Sequence, residues 1–250
     1  MQLHLMPLQK EWYRNWFDSP YYDLLYKERD QEEADMFIDN LVKHLAPPKH
    51  AIMLDLACGN GRYSVALNRM GYDVTGIDLS QRKIETAKLN QNRRLTFAVN
   101  DMRVPLEPNK YDYVFNLFTS FGYFDNEEEN KLVLVNVFNS LKKGGVFVLD
   151  YMNGKKAAKH LLGYEEFSVE DIYFIIERYV KDNLIIKEIK IKDGVEEYNF
   201  LEKISIFTEE KLAELITGCG FKINEILGNY QLNEFDSVNS DRLIIICRKP

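Results

Sequence analysis

The chain has 250 residues, 46% hydrophobic and 28% charged, a balance that excludes disordered and fibrous classes and allows a sizeable buried core. With 32 basic and 39 acidic side chains the net charge is −7, which leaves no electrostatic footprint for a phosphate backbone, so no nucleic-acid partner is expected. The sequence has no run of about 18 apolar residues and no basic region followed by an apolar stretch near Met1, so no membrane attachment is expected and the expected location is cytoplasmic.

Ala34, Phe37, Ile38, Leu41 and Val42 recur at helical spacing over residues 30–44, and Pro47 and Pro48 end the pattern. The short apolar run AIMLDLA (51–57) predicts a buried parallel strand. A helix over 62–70, a strand over 72–78 and a helix over 81–90 capped by Ser80 follow. Strands near 95–99, 111–118 and 144–151, with a helix over 126–141, continue the alternation and predict a parallel sheet covered by helices on both faces. After residue 153 the segments FSVEDIYFIIERYV, NLIIKEIKIK and VEEYNFLEKISIF alternate apolar and polar positions, with turn signals at Asp182-Asn183 and Asp193-Gly194. The chain then returns to a helix over 209–218, capped by Thr208, and the strands FKINEIL and DRLIIICR. The predicted fold is α/β: a Rossmann-like, doubly wound, mostly parallel seven-stranded sheet built from residues 1–153 and 208–250, with an antiparallel β lid inserted over 154–207.

The segment Asp55-Leu56-Ala57-Cys58-Gly59-Asn60-Gly61 places an acid at the end of the first strand and a Gly-x-Gly turn at the entry to a helix. Glycine lets the backbone bend tightly and approach a ligand where a Cβ would intrude, and open α/β sheets bind ligands at the carboxyl ends of their strands. A dinucleotide fingerprint would carry Gly or Ala three residues after the second glycine, and Ser64 stands there instead. S-adenosylmethionine has no pyrophosphate; its amino group and sulfonium are positive, and Asp55 supplies negative charge. The turn thus favours the methyl donor over NAD. The second strand ends at Asp78, before Leu79, where a carboxylate accepts from both ribose hydroxyls. The third leads to Asn100-Asp101-Met102: Asp101 either accepts from an adenine amino group, with Met102 adding a backbone donor and soft apolar surface, or caps a turn. Cys58 reads as structural, with no His beside it in sequence to generate a thiolate. The cysteines and the four histidines show no disulfide or metal spacing.

The ordered set LDLACGNG, VTGIDLS, NDMRVP and YDYVFNLFTSFGYF, within residues 51–124, resembles the successive cofactor motifs of class I S-adenosylmethionine-dependent methyltransferases. YYDLLYKERD, NDMR with LFTSFGYF, and ISIFTEEKLAELITGCGF make it most similar to the sugar-nucleotide N,N-dimethyltransferases and, at greater distance, glycine N-methyltransferase. The resemblance implies that Tyr26 folds over the methionine end of the cofactor and that Arg29 reaches its carboxylate. It implies a cofactor site made of Asp55, Ala57, Cys58, Gly59, Asn60, Gly61, Asp78, Leu79, Asn100, Asp101, Met102, Leu117 and Phe118. Residues 117–123 follow the fourth strand, where this class positions the transferable methyl; carbonyls and aromatic faces there suit a sulfonium. Phe118 is equally compatible with ordinary core, and the stripe Trp12, Trp16, Tyr21, Tyr22 and Tyr26 with plain packing. Tyr123 and Tyr26 are the catalytic candidates.

Methyl transfer asks mainly for alignment and water exclusion. Tyr123, Tyr151, Tyr198 and Glu202 all stand open as a base for an amine acceptor. The expected activity is transfer of a methyl group to N or O of a small-molecule acceptor with release of S-adenosylhomocysteine, and a homodimer is compatible with the sequence. The insert is rich in Glu and Lys and poor in His, a departure from the sugar enzymes. A non-catalytic module sensing S-adenosylmethionine or S-adenosylhomocysteine would carry the same motifs, whereas an NAD-linked oxidoreductase is disfavoured by Ser64 and Asp55.

Overall fold

The computed structural model describes residues 11–27 and 31–250. In chain order the elements are α1 (Trp12–Phe17), α2 (Pro20–Leu25), α3 (Gln31–Leu45), β1 (Ile52–Leu56), α4 (Arg62–Arg69), β2 (Asp73–Asp78), α5 (Gln81–Ala87), a 3₁₀ turn (Lys88–Asn90), β3 (Leu95–Val99), β4 (Tyr111–Asn116), α6 (Glu127–Ser140) and β5 (Leu141–Met152). They continue with α7 (Gly154–Lys159), β6 (Tyr164–Val169), β7 (Ile172–Lys181), β8 (Leu184–Asp193), β9 (Glu196–Ser205), α8 (Glu209–Gly218), β10 (Lys222–Leu227) and β11 (Arg242–Arg248). Two compact units divide the described chain: residues 31–160 with 205–250, and residues 11–27 with 161–204.

The larger unit carries a seven-stranded sheet in the order β10-β11-β5-β4-β1-β2-β3. The pairs β1–β2, β1–β4, β2–β3 and β4–β5 are parallel, while β11 runs antiparallel to both β5 and β10. Met53, Leu54, Val114, Phe115, Val148 and Leu149 are fully buried, which explains why these strands read as near-continuous apolar runs. α3 contributes Phe37, Ile38 and Leu41 to the same core, on the helical spacing seen in the sequence. The predicted caps form: Ser80 accepts from the Lys83 amide at 3.1 Å and Thr208 from the Lys211 amide at 3.2 Å. The strand order turns back on itself between β1 and β4, so the loops at their carboxyl ends flank the crevice that such sheets use for ligands.

In the smaller unit β6, β7, β8 and β9 form a four-stranded sheet. The sequence read FSVEDIYFIIERYV as one alternating segment; the chain instead folds back at Glu170 and Asp171, pairing Val169 with Ile172. Glu170 takes a φ of 56°, a left-handed conformation unusual for Glu and outside the turn chemistry that sequence pattern recognises. At Asp182 and Asn183 both φ values are positive, 49° and 61°, as the tight turn between β7 and β8 requires. The helix α7, capped by the Asn153 side chain, was not anticipated. The aromatic stripe of α1 and α2 packs on this sheet: Trp16 lies 4.8 Å from the Phe200 ring and Tyr21 lies 5.0 Å from Tyr198, contacts worth roughly 0.5–1.5 kcal/mol each beyond area burial.

Candidate active site

Asp55 lies in β1 and is fully buried; it accepts the Ser64 hydroxyl at 2.5 Å. Burial pushes its carboxyl up to about 6, and the Ser64 hydrogen bonds pull the other way. Beyond it the backbone bends through left-handed φ values at Ala57 (62°), Gly59 (55°) and Gly61 (82°). The turn is pinned at Cys58, whose amide donates to Ile77 O at 2.9 Å, and closed by the Gly61 amide donating to Cys58 O at 2.9 Å. A Cβ on Gly61 would meet the Phe97 ring at 2.6 Å, and one on Gly76 of β2 would meet Phe97 at 2.6 Å and the Cys58 sulfur at 2.9 Å. Both glycines are therefore required by close packing beneath the turn. Cys58 is buried, and burial pushes its thiol well up, with the Asp55 and Asp78 charges adding to it. That suits the structural reading. Asn60 is exposed at the tip.

At the end of β2 the two Asp78 oxygens divide their work: one accepts the Gly59 amide at 2.8 Å and the other the Ser80 amide at 2.9 Å. Leu79 beside it is half-buried. The Asn100 amide donates to Asp78 O at 2.9 Å, joining the loop after β3 to the same corner. Asp101 accepts a two-pronged contact from Arg103, at 3.1 Å from Nε and 2.7 Å from Nη2, and Arg103 also reaches Glu129 at 2.5 Å. Asp101 also caps the local turn by accepting the Arg103 amide at 3.0 Å. Met102 offers its carbonyl to the Asn136 side chain at 3.1 Å.

The loop after β4 is held in an uncommon shape. Phe118 and Thr119 have φ values of 59° and 58°, each costing about 1–3 kcal/mol for a residue with a Cβ. Leu117 is buried and Phe118 half-buried, its ring centroid 4.8 Å from the Arg62 guanidinium. The Asn116 side chain donates to Leu56 O at 3.0 Å and Ser120 O at 3.2 Å, tying the end of β1 to this loop. Tyr123 donates its hydroxyl to the Thr119 carbonyl. Tyr151, considered as a base, is fully buried; its hydroxyl donates to Ser205 O at 2.6 Å and burial pushes its pKa up, so it is removed from that role.

In the smaller unit Glu202 accepts from the Trp16 indole at 2.6 Å and from the Tyr26 hydroxyl at 3.1 Å. Lys187 donates to the Tyr26 oxygen at 2.6 Å and lies 3.7 Å from Glu202. Tyr26 is thus the centre of a buried ionic cluster. Arg29, the expected carboxylate ligand, lies outside the described residues.

A family model described as a methyltransferase domain matches residues 47–216. The chain belongs to that family. The putative methyltransferase YqeM of Bacillus subtilis (strain 168) is 26% identical over 213 residues, covering 81% of this chain and 85% of that protein. A S-adenosylmethionine-dependent methyltransferase from Clostridium acetobutylicum superposes with a TM-score of 0.76 at 20% identity, covering 91% of this chain and 95% of that one. An amino pentose methyltransferase of calicheamicin biosynthesis from Micromonospora echinaspora, solved with S-adenosylmethionine bound, superposes with a TM-score of 0.69 at 18% identity over 93% and 98%. At these identities the structural likeness is one of fold. Membership sets aside the NAD-linked reading.

Sequence reading of this methyltransferase assigned Asp55, Gly59, Gly61 and Asp78 to one corner; in the structure the Gly59 amide bonds to Asp78, Gly61 to Cys58 and Asp55 to Ser64. It missed four residues that shape the corner and its neighbour: Ser64, Gly76, Asp150 and Arg242. Ser64 had a signal, since a polar residue stands where helix–strand packing usually takes Gly or Ala. Arg242 had none, because its partners are 92 and 123 positions away in sequence.

Proposed function

We propose that this methyltransferase, which uses S-adenosylmethionine, transfers the methyl group to a nitrogen or oxygen of a small-molecule acceptor. The observation that carries the reading is the coupling of the Gly59 amide to Asp78 at 2.8 Å, at the carboxyl ends of β1 and β2 beside the point where the strand order reverses. The donor set fits the cofactor: carboxylates for cationic and hydroxyl groups, a glycine turn that admits close approach, and an aromatic face at Phe118 for a sulfonium.

Bound S-adenosylmethionine supplies a methyl group on a positively charged sulfur, already activated for attack by a lone pair. In the reading offered here, Asp55 and the turn of Ala57, Cys58, Gly59, Asn60 and Gly61 receive its amino-acid end. Asp78 and Leu79 receive the ribose, and Asn100, Asp101 and Met102 the adenine. Leu117 and Phe118 line the sulfur, and the Tyr26 ring is assigned to the methionine end. The Asp101 carboxylate keeps accepting capacity beyond its Arg103 contacts, since each oxygen carries two lone pairs. Tyr123 borders the acceptor side, and its hydroxyl, committed to a carbonyl, orients rather than deprotonates. A cytoplasmic location, no nucleic-acid partner and a homodimer complete the proposal; among the described residues no helix is long and apolar enough to cross a membrane.

Calorimetry with S-adenosylmethionine, S-adenosylhomocysteine and NAD, followed by a methyl-transfer assay over a panel of small amines and hydroxyl compounds, tests this. Binding of the first two with turnover of at least one acceptor supports the enzyme; binding without turnover of any panel member marks a sensing module.

A further inference from the structure

We propose that Arg242 and Asp150 are positioning residues for methyl transfer, a buried pair that clamps Phe118 and Thr119 in their left-handed conformation and so fixes the surface presented to the sulfonium. The inference rests on the cofactor reading above. Two consecutive left-handed residues with side chains, one of them β-branched, persist only where their surroundings over-determine them. Here they are held from three sides. The Asp150 carboxylate accepts the Phe118 amide at 2.7 Å, the Asp150 carbonyl accepts the Thr119 amide at 3.0 Å, and Arg242 Nη2 donates to the Thr119 hydroxyl at 3.0 Å.

The clamp is itself braced. Arg242 Nε donates to the other Asp150 oxygen at 2.7 Å, so one planar fork spans carboxylate and hydroxyl together. The Tyr230 hydroxyl donates to Asp150 at 3.2 Å; its ring stacks on Phe37 at 4.2 Å and its carbonyl accepts from Asn40 at 2.8 Å. Asp150 is fully buried and the Arg242 side chain is 16% exposed. Ion pairs so placed add little to stability over apolar side chains of the same volume, and their use is in specifying one conformation. What this pair specifies is the loop after β4. The Phe118 ring also touches two guanidinium groups, its centroid 4.8 Å from Arg62 and 5.8 Å from Arg242, contacts that restrain the ring as well as its backbone.

S-adenosylmethionine and S-adenosylhomocysteine differ only in the methyl and the charge on sulfur, so the ratio of their affinities reports on this surface and not on the rest of the site. The experiment is calorimetry of both ligands with the full chain and its T119S, T119V, R242K and R242Q variants, each with a melting temperature. R242K keeps a cation on Asp150 and cannot fork to Thr119; T119V deletes the hydroxyl and keeps the shape. Both are expected to change the affinity ratio by at least about fivefold with melting shifted by no more than about 5 °C, while T119S keeps the wild-type ratio. R242Q is expected to change the ratio as well, and if it fails to fold the other two decide. An unchanged ratio in R242K and T119V, or a fall of both affinities by one common factor, overturns the clamp. A wild type that binds neither ligand overturns the cofactor reading together with it, so the two failures are told apart.

Discussion

Asp78 reaches from the end of β2 to take the Gly59 amide at 2.8 Å, so one carboxylate both shapes the glycine turn and stands where a ribose is expected. Removing it loosens the turn and deletes an acceptor in one step. D78A is expected to weaken S-adenosylmethionine binding by at least about tenfold, close to 1.4 kcal/mol, and D78N, which keeps one acceptor, by less. Titration calorimetry of the two variants checks the order; unaltered affinity in D78A would remove Asp78 from the ribose.

Asp55 predicts a pH dependence. Burial raises its folded carboxyl to about 6, above the unfolded value of 3.8. Between those values the folded chain holds more protons than the unfolded one, so its contribution favours folding at low pH and is lost as pH rises to about 6. The loss is of the order of 3 kcal/mol, two pH units at roughly 1.4 kcal/mol each. D55N abolishes this titration, so its stability relative to the wild type is expected to rise by about that amount between pH 4 and pH 7, read from urea unfolding at each pH. Affinity for the cationic amino group is expected to move the opposite way and increase through pH 6 in the wild type.

Lys187 and Glu202 are each 7% exposed, and removing one partner of such a pair strands the other. K187M and E202Q are each expected to cost about 3–5 kcal/mol, and the double replacement K187M/E202Q clearly less than the sum of the single changes. Denaturant unfolding of the three variants gives the coupling. Additive losses would mean that the two side chains act independently.

Tyr26 separates two roles at one residue. Y26F removes a hydroxyl that joins Lys187 to Glu202, and is expected to lower stability by about 1–3 kcal/mol while leaving cofactor affinity near the wild-type value. Y26A deletes the ring as well and is expected to weaken S-adenosylhomocysteine binding severalfold. If Y26A binds as the wild type does, the ring is packing alone.

The sequence made the sheet and the glycine corner legible because their signals are local. Apolar runs bounded by Gly and Pro mark β1 and β2, and Ser80 and Thr208 mark helix starts by a side chain three residues from its target amide. The hairpin at Glu170 was opaque because its left-handed residue is neither Gly nor Asn. The helices α1 and α2 span six residues each, less than two full turns, so no periodicity could declare them. Asp150 was hidden for another reason: within the strand GGVFVLDY it reads as a pleat position, and its partners Phe118, Tyr230 and Arg242 all lie far from it in sequence.

The strand between β5 and β10, β11, follows both of them and every other strand of its sheet in chain order. During synthesis the flank of β5 that β11 will cover stays open after every other part of the sheet has left the ribosome, with Val146, Val148 and Leu149 along it. An unpaired strand flank of this kind recruits other chains. Release before residue 248 thus yields a nearly finished sheet that is adhesive, so truncated translation products of this protein are destined for aggregation or proteolysis rather than for partial activity.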